Sequence, residues 1–176
     1  MPKYVYIHIL LGERTIIIER VVTMAKMLDY LQKYVSGEVA APPVAQLVGF
    51  RVTDVEEGKG TIEFEATKSH ANPTGTLHGG ILCVIGDSAM GLAYASALEL
   101  DESFVTLELK INYLRPVWEG KLLATGRIVQ KGKTIGLVEF DIIDDKEKLV
   151  ARGSGTFMTL QGDKASGRLV NEVQAV

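Results

Sequence analysis

The sequence predicts an α+β fold, with one long buried helix packed against a curved antiparallel sheet. Three observations predict it. Residues 79–98 are small and apolar almost throughout, with Asp87 the single charge before Glu99. A helix apolar nearly all round is a buried helix. Four long strand-like segments follow it with short connections, and two more precede it. Short turns between long strands make antiparallel pairs. At 176 residues, the chain has the length of about one domain.

The elements follow in order. Residues 1–23 read as two β-rich pieces, Tyr4–Leu11 and Thr15–Val22, around Gly12-Glu13-Arg14, the form of a hairpin. Met24, Met27, Leu28 and Leu31 then recur at helical spacing. Ser36-Gly37 and Pro42-Pro43 punctuate a linker, and Val44 to Val48 form a short helical turn. Phe50 to Val55 and Gly60 to Thr67 are strands, the second alternating Ile62, Phe64 and Ala66 with Glu63 and Glu65. After the long helix, Phe104 to Leu114 sets Val105, Leu107, Leu109, Ile111 and Tyr113 on one face. Lys121–Gln130, Thr134–Ile143 and Leu149–Leu160 complete a four-strand meander, and the polar tail from Gly162 is expected to be loose.

Composition excludes several classes of function. The hydrophobic fraction is 47% and the net charge −3, so no basic surplus is available to hold a nucleic-acid backbone. A lone cysteine, Cys83, is read as a core filler; it forms no disulfide framework and fits a cytoplasmic protein. His8, His70 and His78 lack metal-ligand spacing, so no metal and no cofactor are expected. No apolar run reaches the roughly 20 residues of a membrane span. Lys3 and the run after it imitate the start of a signal peptide, but no convincing cleavage site follows.

The chemically dense stretch is Asn72 to Gly80. Pro73 and Gly75 make a loop that feeds a helix at Gly79 and Gly80, whose first N–H groups lack internal partners and lie at its positive end. Such an end suits a carbonyl oxygen gaining negative charge. Asp87 stands seven residues beyond Gly80, on the same face but about 10 Å further along. A carboxylate in so apolar a helix is costly unless it is paired or faces a cavity. At that distance it does not serve a carbonyl held by its own helix start, since a base must lie within about 3 Å of its proton or one water further. Two copies side by side resolve this, with Asp87 of one subunit serving Gly79 of the other.

The run Asn72-x-x-Gly75-x-x-His78-Gly79-Gly80, with Asp87 seven later, resembles the PaaI-type hotdog-fold acyl-CoA thioesterases, as do Thr106 and Asn112-Tyr113-Leu114-Arg115-Pro116. The resemblance runs from about Val44 to Leu160. It makes 24–161 a single hotdog domain, 1–23 an atypical extension or an early start codon, and 162–176 a tail. It implies hydrolysis of acyl-CoA by homodimers with a continuous sheet, commonly dimers of dimers. It also implies residue roles. Asp87 resembles the catalytic carboxylate, acting on water or on the carbonyl, and Gly79 the N–H that polarises the thioester. Asn72 resembles a side chain holding the site, His78 an orienting residue, and Thr106 a residue positioning the water.

Gly80, Val84, Ser88 and Gly91 supply the substrate surface, and Arg115 a partner for coenzyme A phosphate, ahead of Lys131, Lys133 and Arg152. Plainer roles stand beside these: Asn72 in its turn, His78 as a structural histidine, the glycines for packing, Thr106 as a strand residue. Two other activities compete. Hotdog hydratases resemble a pattern with Asp five residues before His, and here Pro73 stands five before His78. A non-catalytic acyl-CoA sensor would bind the thioester and release no thiol.

Overall fold

The computed structural model describes residues 3–11, 14–22 and 27–167, the first two segments as backbone only. Strands β1 (Lys3–Leu11) and β2 (Arg14–Val22) pair antiparallel, as the two β-rich pieces predict, though Gly12 and Glu13 of their turn lie outside the described residues. Helix α1 (Met27–Ser36) buries Met27 and Leu31; the expected start at Met24 also lies outside the described residues. Helix α2 (Pro43–Val48) is the short turn.

The remaining elements form one body. Strands β3 (Phe50–Glu56) and β4 (Lys59–Ala66) precede the long helix α3 (Gly79–Ala95), and β5 (Ser103–Tyr113), β6 (Gly120–Lys131), β7 (Ile135–Asp144) and β8 (Leu149–Leu160) follow it. The six strands make one antiparallel sheet in the order β3-β4-β6-β7-β8-β5, and every strand touches α3, so the sheet curls around the helix. Core side chains from both layers meet there: Ile85, Ala89, Met90 and Tyr94 from α3, and Phe64, Val138, Phe140 and Phe157 from the strands.

Helix and sheet approach until backbones meet. A Cβ added at Gly126 of β6 would lie 2.4 Å from the Ala89 carbonyl oxygen, a contact only glycine permits. The ring of Phe140 fills the matching space over Gly86.

Four details differ from the sequence expectation. The meander holds for β6, β7 and β8, but β5 pairs with β8 at the far edge instead of with β6. Curling of the sheet brings the end of β5 round to the start of β6, and the connection is tied back by Leu114 and Arg115 N–H groups donating to the Val150 carbonyl. Second, β5 carries a bulge at Leu107, which shifts its register against β8 between Thr106 and Glu108. The bulge reverses the face: Phe104 packs inward before it, Leu109 and Ile111 after it, and Leu107 is exposed. Third, α3 ends at Ala95, because the Ser96 hydroxyl donates to the Ala93 carbonyl and accepts the Gly58 N–H. Fourth, the start of the tail is not loose: Gly162–Lys164 is a 3-10 turn and Ala165 is buried.

Candidate active site

The loop before α3 is held by one side chain. The Asn72 carbonyl oxygen accepts the Thr74 N–H at 2.9 Å, the Thr74 hydroxyl at 2.7 Å and the Thr76 N–H at 3.2 Å. Its amide donates to the Thr76 hydroxyl at 2.9 Å. Gly75 completes the turn at φ 85°, a left-handed conformation that suits glycine. Asn72 therefore acts on its own loop, the plainer of its two roles, while still lining a cleft with Gly79.

Backbone bonds fix the loop to its neighbours. The His78 N–H donates to the His70 carbonyl at 2.9 Å, and the Leu77 N–H to the Val117 carbonyl at 2.7 Å. His78 is the N-cap of α3, its Nδ1 accepting the Gly80 N–H at 2.9 Å. As an acceptor Nδ1 carries no proton, which leaves the proton on Nε2. The Gly80 amide is thus occupied by the cap, whereas the Gly79 N–H has no acceptor among the described residues, and Gly79 lines the cleft. Of the two glycines, Gly79 is the one able to donate to a ligand.

That cleft, of about 410 Å³, is lined by Asn72, Gly79, Leu82, Tyr113, Arg115 and Val117, among others. Tyr113 is a residue the sequence placed in a motif without a task. Its hydroxyl donates to the Gly79 carbonyl at 3.3 Å and lies 3.1 Å from Cys83 Sγ. The bond to Cys83, followed by burial, pushes the phenol up to about 12. Cys83 is half-buried beside this tyrosine, not in the core as its residue type suggested. Arg115 is exposed on the rim of the cleft. Two of the other cations are engaged elsewhere: Arg152 is paired with Asp141, and Lys131 lies 5.8 Å over the Tyr94 ring.

Asp87 opens into a different space. Its Oδ1 accepts the Thr106 hydroxyl at 3.1 Å. Burial raises its pKa above the ordinary carboxylate range, and the Thr106 bond opposes the rise. The Leu107 bulge matters here, because it lets Thr106 face the helix on a strand whose later inward residues are Leu109 and Ile111. A cavity of about 290 Å³ runs from Asp87 past Ser88, Gly91, Leu92 and Ala95, walled by Leu31 and Tyr34 of α1 and by Phe104. Ser88 lines it as expected. Val84 does not, and packs half-buried against the core instead. Leu31, Tyr34 and Pro42 are site residues the sequence reading missed, since their segment showed only helix and linker signals.

Among the described residues none lines both openings. One helix thus carries a free amide and a half-buried carboxylate eight residues apart, about 12 Å, in separate pockets. Among the described residues no three His, Cys, Asp or Glu side chains gather as metal ligands, and no helix is long and apolar enough to cross a membrane.

Known proteins resemble this chain in sequence and fold. Residues 74–151, from the site loop to β8, match the Thioesterase superfamily. A 1,4-dihydroxy-2-naphthoyl-CoA hydrolase from Listeria monocytogenes is 32% identical over 105 residues, covering 60% of this chain and 85% of that protein. Human acyl-coenzyme A thioesterase 13 is 25% identical over 136 residues, 76% of this chain and 96% of that one. A phenylacetic acid degradation-related protein from Ralstonia eutropha superposes with a TM-score of 0.67 at 30% identity, covering 73% and 98% of the two chains. The PaaI protein of Escherichia coli superposes at 0.69 with 23% identity, over 78% and 98%, and shares the fold. With the family match running from the site loop to β8, a relative 32% identical over most of its own length and a solved structure of the same fold, the chain belongs to the thioesterase superfamily of hotdog-fold proteins.

Proposed function

We propose that this protein hydrolyses acyl-CoA thioesters to the free acid and coenzyme A, in sites formed between two copies of the chain. The observation that carries the reading is the separation of Gly79 and Asp87 into different pockets of one protomer. Thioester hydrolysis needs a donor to the carbonyl oxygen and a carboxylate at the carbonyl carbon, and two antiparallel α3 helices bring one of each together twice. The Gly79 N–H, at the positive helix end, stabilises the oxyanion. Asp87 takes a proton from water, whose oxygen attacks the carbonyl, and the departing thiolate takes up that proton. Where the carboxylate attacks instead, the thiolate leaves, and water hydrolyses the mixed anhydride, restoring Asp87 and giving its proton to the thiolate. Thr106 holds Oδ1 and leaves Oδ2 for the water. Arg115, on the rim of the Gly79 cleft, meets a phosphate of coenzyme A.

The same reading makes the solution state a homodimer or a homotetramer of paired dimers in the cytoplasm, where a lone thiol stays reduced. Residues 1–23 carry no site residue, so a chain beginning at Met24 keeps its turnover.

Complementation tests the shared site. Gly79→Pro removes the amide proton at the first helical position, where proline is tolerated, and His78 at φ −63° and ψ 128° already has the conformation proline demands of its predecessor. A Cβ at this position meets the side chain of the exposed Tyr113, at 3.1 Å. Gly79→Pro and Asp87→Asn are each expected to be inactive alone. Co-refolded, they regain about a quarter of wild-type thiol release, because half of random dimers are mixed and each mixed dimer holds one intact site. No recovery in verified mixed dimers, or an active monomer in sedimentation, refutes the shared site. A non-catalytic acyl-CoA sensor is excluded by any wild-type thiol release that Asp87→Asn abolishes.

A further inference from the structure

The cavity behind Asp87 is long and apolar. Along α3 it is lined at Asp87, Ser88, Gly91, Leu92 and Ala95. Asp87 to Ala95 is eight residues, about 12 Å of helix. Across from α3 stand Phe50, Val52 and Ile62 of the sheet and Leu31 and Tyr34 of α1. Helix α1 begins at the far end of α3, where the Met27 N–H donates to the Leu98 carbonyl at 3.1 Å. Tyr34 stands in this wall against Tyr30, the rings crossing edge to face at 5.4 Å. Apart from Asp87 and Ser88 at one end and the Tyr34 hydroxyl in the wall, the lining side chains offer only hydrocarbon.

Resting on the hydrolase reading above, we infer that the acyl group runs along α3 from Asp87 to Ala95 beneath α1, so that the enzyme favours unbranched alkyl thioesters of about ten carbons and Ala95 and Tyr34 set that length. Carbon–carbon bonds of about 1.5 Å at near-tetrahedral angles advance an extended chain about 1.25 Å per atom, so 12 Å holds nine or ten. A single aromatic ring on the carbonyl reaches no further than Gly91, one turn beyond Asp87. It would leave the Leu92–Ala95 end unfilled and forfeit those contacts. Each buried methylene is worth about fourfold in kcat/KM.

The test is thiol release from straight-chain acyl-CoAs of four to sixteen carbons and from phenylacetyl-CoA. Wild type is expected to gain about fourfold per methylene up to about ten carbons and then to level or fall. Ala95→Leu fills the deep end and moves the maximum to shorter chains. Tyr34→Ala opens the wall and moves it to longer ones, which keeps the inference testable if the first variant folds poorly. A maximum unmoved in both folded variants, or phenylacetyl-CoA preferred over decanoyl-CoA, overturns it. If no thioester releases thiol, the hydrolase reading fails by itself, and the cavity is then read by binding. Decyl-CoA thioether binding no more tightly than methyl-CoA thioether overturns the inference, whereas tighter binding that Ala95→Leu removes supports it.

Discussion

The two halves of α3 have nearly the same composition and opposite surroundings. From Ala89 to Ala95 every residue is buried beneath the sheet and α1. From Gly79 to Ser88 only Leu82, Ile85 and Gly86 are buried, and Ile81, Cys83 and Val84 remain half-exposed although apolar. The C-terminal half is where β6 meets the helix backbone at Gly126; the N-terminal half is where an amide and a carboxylate open into pockets. Hydrophobicity alone therefore does not say which part of a helix is sealed by its own chain. It says that the surface is meant to be covered, and in the shared-site proposal a second α3 is the cover that also completes the site.

The largest effect expected of this contrast belongs to the open half. Asp87→Asn keeps the side chain's shape and removes its charge and proton-accepting power. General acid–base assistance is worth roughly 10²–10⁴-fold, so kcat should fall by about that factor, with a smaller change in KM. Stability should hold or rise, because a half-buried charge with a raised pKa is removed. Melting temperature and kcat on one preparation decide the matter. A destabilised variant with normal turnover would make Asp87 a structural acid.

The sealed half should answer in the opposite way. Gly126→Ala drives a methyl to 2.4 Å from the Ala89 carbonyl oxygen and 2.6 Å from the Met90 nitrogen, backbone atoms that cannot rotate away. Lifting β6 from α3 should cost about 1–3 kcal/mol, several degrees in melting temperature for a chain of this size. The folded fraction should turn over normally. Loss of kcat without loss of stability would mean that the close packing of β6 on α3, and not only the cavity lined by Gly91, Leu92 and Ala95, shapes the reaction.

This contrast also explains what could be read from the sequence. The buried helix, the two strands before it and the four after it were legible because period and turn chemistry are local. So was the placing of Gly79 at the helix start and of Asp87 further along the same helix, since both follow from the helix repeat, whereas the capping role of His78 was not. The bulge at Leu107 was not, because an extra residue leaves the alternation of Val105, Leu107, Leu109 and Ile111 intact on paper while reversing it in space. The place of β5 at the sheet edge was hidden likewise, since it depends on the curl of six strands. That the Asn72 side chain and the Gly80 amide are each engaged within their own loop was also not legible, because sequence does not show such partners. Leu31 and Tyr34 reach the cavity only through the packing of α1 on the sheet.

The smallest effect, and the most specific, concerns Thr106. Thr106→Val keeps the shape and deletes the hydroxyl that donates to Asp87 Oδ1. A hydrogen bond to a charged group is worth about 1.5–3 kcal/mol, only part of it felt differently in the transition state, so kcat should fall about tenfold at neutral pH. The pH profile is the sharper reading. On the proposed mechanism activity needs the carboxylate, so the acid limb of kcat is expected to track the Asp87 pKa, which burial raises and the Thr106 bond holds down. Removing the bond lets burial act unopposed, and the limb should move to higher pH. Stability carries the same sign. A carboxyl whose folded pKa exceeds its unfolded one stabilises fully below the unfolded value, and that contribution is lost as pH rises through the folded one. Thr106→Val should extend this loss over a wider window, and Asp87→Asn should abolish it. Gly126→Ala, acting on the sealed half, should leave the acid limb where it is in wild type. An acid limb unmoved by Thr106→Val would separate the hydroxyl from the charge it touches and reduce Thr106 to a strand residue.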